Sequence, residues 1–339
     1  MGTDPNAGGR APTIKVVAAL AGVSPMTVSR TLAGGTNVKP DVQAKVLAAV
    51  RALGYRRNEN ARVLRPGQTS SLIGVAITNL GNPYYGRFAL GVEEVAAQHG
   101  RRILLGNSSE SPAREQQLVQ DFLGRRVEGL IVVPASASAP YLTPAAVGDV
   151  PIVLASRLVD GLDVDAIVLD DAGGAERCTA HLLETAGARV AYVGNFMGVY
   201  TEQRRYDGFV AAHAAVDREV DPRLVLRDER DPELVGRVIR GWFDEPDAPT
   251  GIFTANNRNT VAVLQALGGR PGAAALPTIA SFDEFELAEQ MPMPIAVLQH
   301  DPTELGRRAA QLLFARLDGT APVARQVVSL PTPLRLVHP

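Results

Sequence analysis

Cysteine is almost missing from this chain: Cys178 is the one thiol in 339 residues. A lone thiol excludes an intramolecular disulfide and any Cys-x-x-Cys metal site, and it suits a reducing cytosol. No run of eighteen apolar residues occurs, and the first twelve residues, MGTDPNAGGRAP, lack the apolar core of a signal peptide. A disordered leader over 1–12 and a soluble, cytoplasmic protein without membrane contact are therefore expected. Enzyme signatures are scarce too. No Gly-x-Gly-x-x-Gly follows a strand, and neither a phosphate-binding Gly-x-x-x-x-Gly-Lys-[Ser/Thr] nor a Gly-x-Ser-x-Gly elbow is found. The histidines at 99, 181, 213, 300 and 338 show no metal-ligand spacing. Asp170-Asp171 reads as an N-cap and first-turn pair favoured by the helix dipole, and His300-Asp301 as cleft wall or helix start. The expectation is no enzyme activity, no cofactor and no metal.

What the chain does have begins at residues 13 to 32, TIKVVAALAGVSPMTVSRTL. Ile14, Val17, Ala18 and Ala21 recur at helical spacing after Thr13, a candidate hydroxyl cap. Gly22 supplies a tight turn, Ser24 caps a second helix, and Pro25 takes its first position, where a missing N–H costs nothing. Val28 and Leu32 face back to the first helix, while Met26, Ser29 and Arg30 fall on the opposite side. That pattern is a helix-turn-helix. Pro40 opens a third helix with a stripe of Val42, Val46, Ala49, Val50 and Leu53, and Gly54 ends it. Charge points the same way: residues 1 to 70 hold ten Lys and Arg against three Asp and Glu, net +7, while the remainder holds 24 against 33, net −9. A basic head on an acidic body suits a duplex DNA partner.

The run TIKVVA…AGVS..TVSR.L, followed by V.P.....VL.A...LGY..N..AR.LR.G, resembles the lactose/galactose repressor (LacI/GalR) family, and the similarity extends through the body. The resemblance implies a recognition helix in the major groove of an operator. It gives base-reading positions to Pro25, Met26 and Arg30, and phosphate-contacting ones to Thr13, Ser24, Thr27, Ser29 and Asn37. It maps a minor-groove wedge onto Leu64, with Asn58, Ala61 and Arg62 beside it. Of the base readers, Arg30 alone has a fork for guanine; Pro25 and Met26 offer apolar contact. Val17 stands where the family usually carries Asp.

From Ser71 onward, strand and helix signals alternate in two series, which predicts parallel sheets flanked by helices. The resemblance implies a type I periplasmic-binding-protein fold. The expected architecture is thus a small all-α helix-turn-helix head plus an α/β type I periplasmic-binding-protein-like body of two parallel-sheet subdomains. The expected divisions are the head at 13–57, a hinge helix and linker at 58–70, a first subdomain of 71–168 with 299–321, and a second of 169–298 with 322–339. The tail, ARQVVSLPTPLRLVHP, reads as two short strands closing the second half, and it lacks a heptad helix, so a homodimer is expected.

Ligands of such sheets sit beyond the carboxyl ends of the strands. There lie Asn82, Tyr84, Tyr85, Asn107, Arg157, Thr201, Arg205, Asn256 and Asp283, a set suited to a sugar-like or otherwise polar metabolite. The resemblance singles out Tyr85 for stacking, Arg205 as main anchor, and Asn256 and Asp283 as hydrogen-bonding partners. Asn257 replaces a usual Asp, Ser156 replaces an Asp before Arg157, His300 falls near a usual Gln, and residues 227–232 lack a customary aromatic. Those departures point away from a standard hexose. The function expected is a ligand-responsive transcriptional regulator, most simply a repressor, binding a pseudo-palindromic operator as a dimer. The alternatives are a transport solute-binding protein and a DNA-binding protein without effector.

Overall fold

The computed structural model describes residues 12–32, 34, 38–55, 70–187, 189–194, 198–227, 229, 231–268, 276–286, 288–291 and 293–338. The chain divides between residues 68 and 69 into a helical head and an α/β body. Nothing among the described residues forms a helix long and apolar enough to cross a membrane.

In the head, α1 (Ile14–Ala21), α2 (Pro25–Leu32) and α3 (Pro40–Leu53) enclose a core of Val17, Ala18, Val28, Val46 and Ala49. Gly22 and Gly54 end α1 and α3 in the left-handed conformation, at φ 66° and 58°, where a Cβ would be strained. The Ser24 hydroxyl accepts the Thr27 N–H (3.2 Å), as the sequence suggests. Thr13 differs from expectation: it occupies the cap position of α1, but its side chain makes no cap bond. Its backbone carbonyl instead accepts from Val16 and Val17 (3.0 and 3.2 Å). The family-atypical Val17 is fully buried, so the head gains core volume where a carboxylate would face desolvation.

The body holds two six-stranded sheets. The first runs in the order β2 (Arg102–Asn107), β1 (Leu72–Ile77), β3 (Gly129–Val132), β4 (Ile152–Ala155), β5 (Asp165–Leu169) and β11 (Val327–Leu330), all neighbours parallel. The second runs β7 (Val225–Leu226), β6 (Val190–Val193), β8 (Gly251–Thr254), β9 (Thr278–Ser281), β10 (Ile295–Leu298) and β12 (Leu334–His338), with only the last pair antiparallel. Central strands such as LIGVAI are apolar without alternation because helices cover both faces. Helices α4 (Pro83–Gln98), α5 (Pro112–Gly124) and α10 (Pro302–Leu317) flank the first sheet; α6 (Asp171–Thr185), α7 (Tyr200–Ala214), α8 (Pro232–Trp242) and α9 (Asn257–Leu267) flank the second. Two of the closest helix pairs approach through glycine. A Cβ on Gly306 of α10 would stand 2.0 Å from the Phe88 carbonyl oxygen of α4, and one on Gly208 of α7 would stand 2.1 Å from that of Ala172 in α6.

The tail corrects the sequence reading. Val327–Leu330 is the edge strand of the first sheet, paired in parallel with β5, and only Leu334–His338 closes the second. The third passage between lobes therefore falls at Pro331-Thr332-Pro333, not near Ala321. An apolar strand pattern identifies a strand but carries no information about which of two sheets accepts it. The passages are tied together: the Thr332 hydroxyl donates to the Asp170 carbonyl (3.1 Å), the Gln299 N–H to the Pro333 carbonyl (2.8 Å), and Arg177 bonds both Asp170 and Thr332.

Candidate functional site

Both sheets place β1 and β6 at the point where strand order reverses, and this is where an α/β crevice opens. A cleft of about 390 Å3 lies there, in the size range of small-molecule sites. From the first lobe it is lined by Thr78 and Asn79 after β1, Asn82, Tyr84 and Tyr85 at the start of α4, Ser109 and Glu110 after β2, and Ser156 and Arg157 after β4. The second lobe contributes Thr201 and Arg205 of α7, Asn256 and Arg258 around the start of α9, and Asp283 after β9.

The strand-end rule thus brings together eight of the nine side chains singled out from sequence. Asn107 is the exception. It is exposed and off the cleft wall, its carbonyl accepting the Leu80 N–H (3.2 Å) and its amide donating to Ser109 (3.0 Å). A short polar side chain at a strand end satisfies its own loop first.

Arg205 is buried against a three-sided socket. Its Nε donates to Asp171 Oδ1 (2.8 Å), its Nη1 to the Ala255 carbonyl, and its guanidinium lies 3.5 Å from the centroid of the Phe282 ring. Burial pushes the Asp171 carboxyl upward, and Arg205 offsets that only in part. Asp170 is the cap of α6, accepting from Gly173 (3.2 Å), so the acidic pair splits into one cap and one buried counter-ion. Arg157 forks onto Glu110 (2.7 and 2.9 Å) and onto the Pro134 carbonyl (2.9 Å). Asp283 accepts from His300 Nε2 (3.0 Å) and from the Asn257 N–H (3.2 Å). Burial alone would raise its pKa, but the His300 bond and the nearby Arg205 hold it below the usual carboxylate range.

Two lobes also touch directly across the cleft. The Asn82 amide donates to the Asn257 carbonyl (3.1 Å) and receives the reciprocal bond (2.9 Å). Asn82 also caps α4 at the Tyr84 N–H, and Asn256 caps α9 at the Asn259 N–H. Tyr84 meets Tyr85 edge to face and approaches Ser156 (3.4 Å), and burial raises the pKa of both phenols. Three wall residues, Ser109, Glu110 and Ser156, hold φ of 53°, 57° and 63°, a left-handed backbone that costs about 1–2 kcal/mol each for a residue with a Cβ. Strain of this kind gathers where a site fixes its geometry. Sequence reasoning missed Glu110, half-buried in the turn after β2, and Arg258, exposed in the first turn of α9. The only available signal was their adjacency to strand ends.

On the head, Pro25, Met26 and Arg30 stand exposed on the outer face of α2, and Ser24 and Thr27 bond to each other (2.9 Å). Thr13 is exposed at the start of α1 and Ser29 half-buried on α2, and the remaining expected DNA contacts, Asn37, Asn58, Ala61, Arg62 and Leu64, lie outside the described residues.

With this geometry in view, the comparisons are specific. A model described as "Bacterial regulatory proteins, lacI family" matches residues 13–58, and one described as "Periplasmic binding proteins and sugar binding domain of LacI family" matches residues 70–328. The chain belongs to the LacI family of bacterial regulators and is a ligand-responsive, DNA-binding transcriptional regulator. Among its relatives, the regulator PtxS of Pseudomonas putida is 31% identical over 319 residues, covering 93% of this chain and 92% of its own. The regulator GalS of Salmonella typhimurium is 27% identical over 337 residues, covering 95% of each. In fold, the Lac repressor bound to ONPG superposes with a TM-score of 0.78 at 23% identity, covering 97% of this chain and 99% of its own.

Proposed function

We propose that the cleft holds a small polar metabolite and that its occupancy sets the affinity of a dimer for a pseudo-palindromic operator. The observation carrying this is the convergence of polar side chains from both lobes on one crevice, bridged by the Asn82–Asn257 amide pair. A ligand seated there touches both lobes at once, so it binds one interlobe angle better than another, and that difference is what shifts an equilibrium. Coupling of about 1–3 kcal/mol, typical of such linkage, changes operator affinity roughly 5- to 150-fold.

In this reading α2 enters the major groove with Arg30 as its polar base reader, and residues 58–65 become helical on the DNA, seating Leu64 in the minor groove. Asn82, Tyr84, Tyr85, Arg157, Thr201, Arg205, Asn256 and Asp283 surround the effector. Such a regulator works in the compartment that holds the chromosome, the cytoplasm. Repression relieved by the metabolite is the sense we favour, by resemblance to the family's commonest behaviour. The test is operator binding by the full-length protein, measured by fluorescence anisotropy while sugars, sugar acids, sugar phosphates, polyols and nucleobases are added in turn. An at least fivefold change with one of them supports the reading. Constant affinity throughout leaves a constitutive DNA-binding protein instead.

A further inference from the structure

The charges on the cleft wall do not all face inward. Both carboxylates that line it are already engaged, Glu110 by two bonds from Arg157 and Asp283 by His300 and the Asn257 N–H. Arg157 and Arg205 are engaged in turn, by Glu110 and the Pro134 carbonyl, and by Asp171 and the Ala255 carbonyl. Arg258 is different. It lines the same cleft, it is exposed there, and no hydrogen bond or ion pair engages its guanidinium among the described residues. It sits in the first turn of α9, where the helix dipole adds charge of the same sign.

A site built for a neutral sugar spends carboxylates on pairs of hydroxyls. Here the carboxylates are committed to the protein, and among the described residues of the wall the one uncommitted charge is a planar cation with five donors, a fork that matches carboxylate and phosphate oxygens. Building on the proposed effector role of the cleft, we propose that its ligand carries an anionic group, a carboxylate or a phosphate, and that Arg258 receives it.

The test uses full-length protein in a phosphate-free buffer, with thermal melting and calorimetric titration. Probes are gluconate (carboxylate), glucose 6-phosphate and inorganic phosphate, with glucose and sorbitol as neutral partners of the same skeleton. The expected result is that an anionic probe raises the melting temperature by mass action while its neutral partner does not. Comparing gluconate with glucose 6-phosphate decides which anion the site prefers. Arg258→Gln should weaken that probe about tenfold or more, the loss expected for a charge-assisted contact. The same titration should weaken as salt is raised, because the guanidinium is exposed. Arg237→Gln, which removes an exposed arginine of α8 outside the cleft, should bind as the native chain does. Unliganded Arg258→Gln should melt with the native chain, so weakened binding is not misfolding.

Three results overturn the inference: a neutral probe binding best, an anionic probe indifferent to Arg258→Gln, or no shift from any of the three anions at 10 mM. In the first case the cleft remains an effector site and only the anion assignment falls. If no metabolite of either charge class binds or alters operator affinity, the reading of the cleft itself falls.

Discussion

Arg205→Met is the most informative perturbation of the cleft wall. Asp171 and Arg205 are both almost wholly buried, and removing the guanidinium strands a carboxylate whose second oxygen, Oδ2, already lacks a partner. Breaking such a pair from one side costs about 3–5 kcal/mol. At about 2–4 °C per kcal/mol for a body of this size, the melting temperature should fall by roughly 6–20 °C. Asp171→Leu combined with Arg205→Met replaces both charges with apolar groups and should recover most of that loss, because neither ion is left uncompensated. The deficit of the single variant should also depend on pH. Burial already lifts the Asp171 carboxyl above its usual pKa, and losing Arg205 lifts it further. A raised folded-state pKa stabilises the protein at low pH and ceases to do so as pH rises through it. The deficit should therefore shrink as the solution is acidified from neutrality toward pH 5. The assay is scanning calorimetry of the full-length chain without ligand at pH 7 and pH 5. A single variant melting within 2 °C of the native protein at pH 7 would falsify the claim that this pair anchors the wall, and so would a double variant no better than the single.

Glu115 gives a second pH signature. It is buried, bonded by the Ala135 N–H (2.7 Å) and the Tyr141 hydroxyl (2.8 Å), and burial lifts its pKa from 4.5 to about 7. The folded state keeps its proton while the unfolded one loses it, so the native protein should weaken from about pH 4.5 to about pH 7 and level off above, and Glu115→Gln should flatten that slope in denaturant melts. Gly306→Ala places a methyl group against backbone, which cannot rotate away, so about 1–3 kcal/mol or more of stability should be lost by calorimetry. On the head, Arg30→Ala should cost about 1–3 kcal/mol on operator DNA and far less on random duplex, read by anisotropy with competitor. Equal losses on both would remove Arg30 from base readout.

Local chemistry made the head legible. Ser24, Pro25, Gly22 and Gly54 each act within a few residues of themselves, and the stripe residues pack where their spacing places them. Thr13 was the failure there, since a hydroxyl at a cap position has no obligation to make the bond. In the body, the alternation of strand and helix was visible, whereas β7, only two residues long, is too short for periodicity to reveal. The sheet that receives Val327–Leu330 depends on contacts more than 150 residues apart, which no window of sequence contains. The cleft was legible as a set of strand-end residues. Which of them are spent on the fold was not: Asn256 caps a helix and Asn107 serves its own loop, whereas the Arg258 guanidinium makes no hydrogen bond or ion pair among the described residues.

The knot at Thr332 has a mechanical consequence. With Thr332 set between two prolines and bonded to the Asp170 carbonyl, and the Gln299 N–H held by Pro333, the passages from one lobe to the other share a single fulcrum. Sliding of one sheet past the other would break all of these bonds together, whereas tilting bends a few backbone torsions near one point. A metabolite beside Arg205 pushes close to that fulcrum, because Asp171, the counter-ion of Arg205, adjoins the Asp170 that Thr332 holds, so a small displacement there would be magnified at the far rim of each lobe.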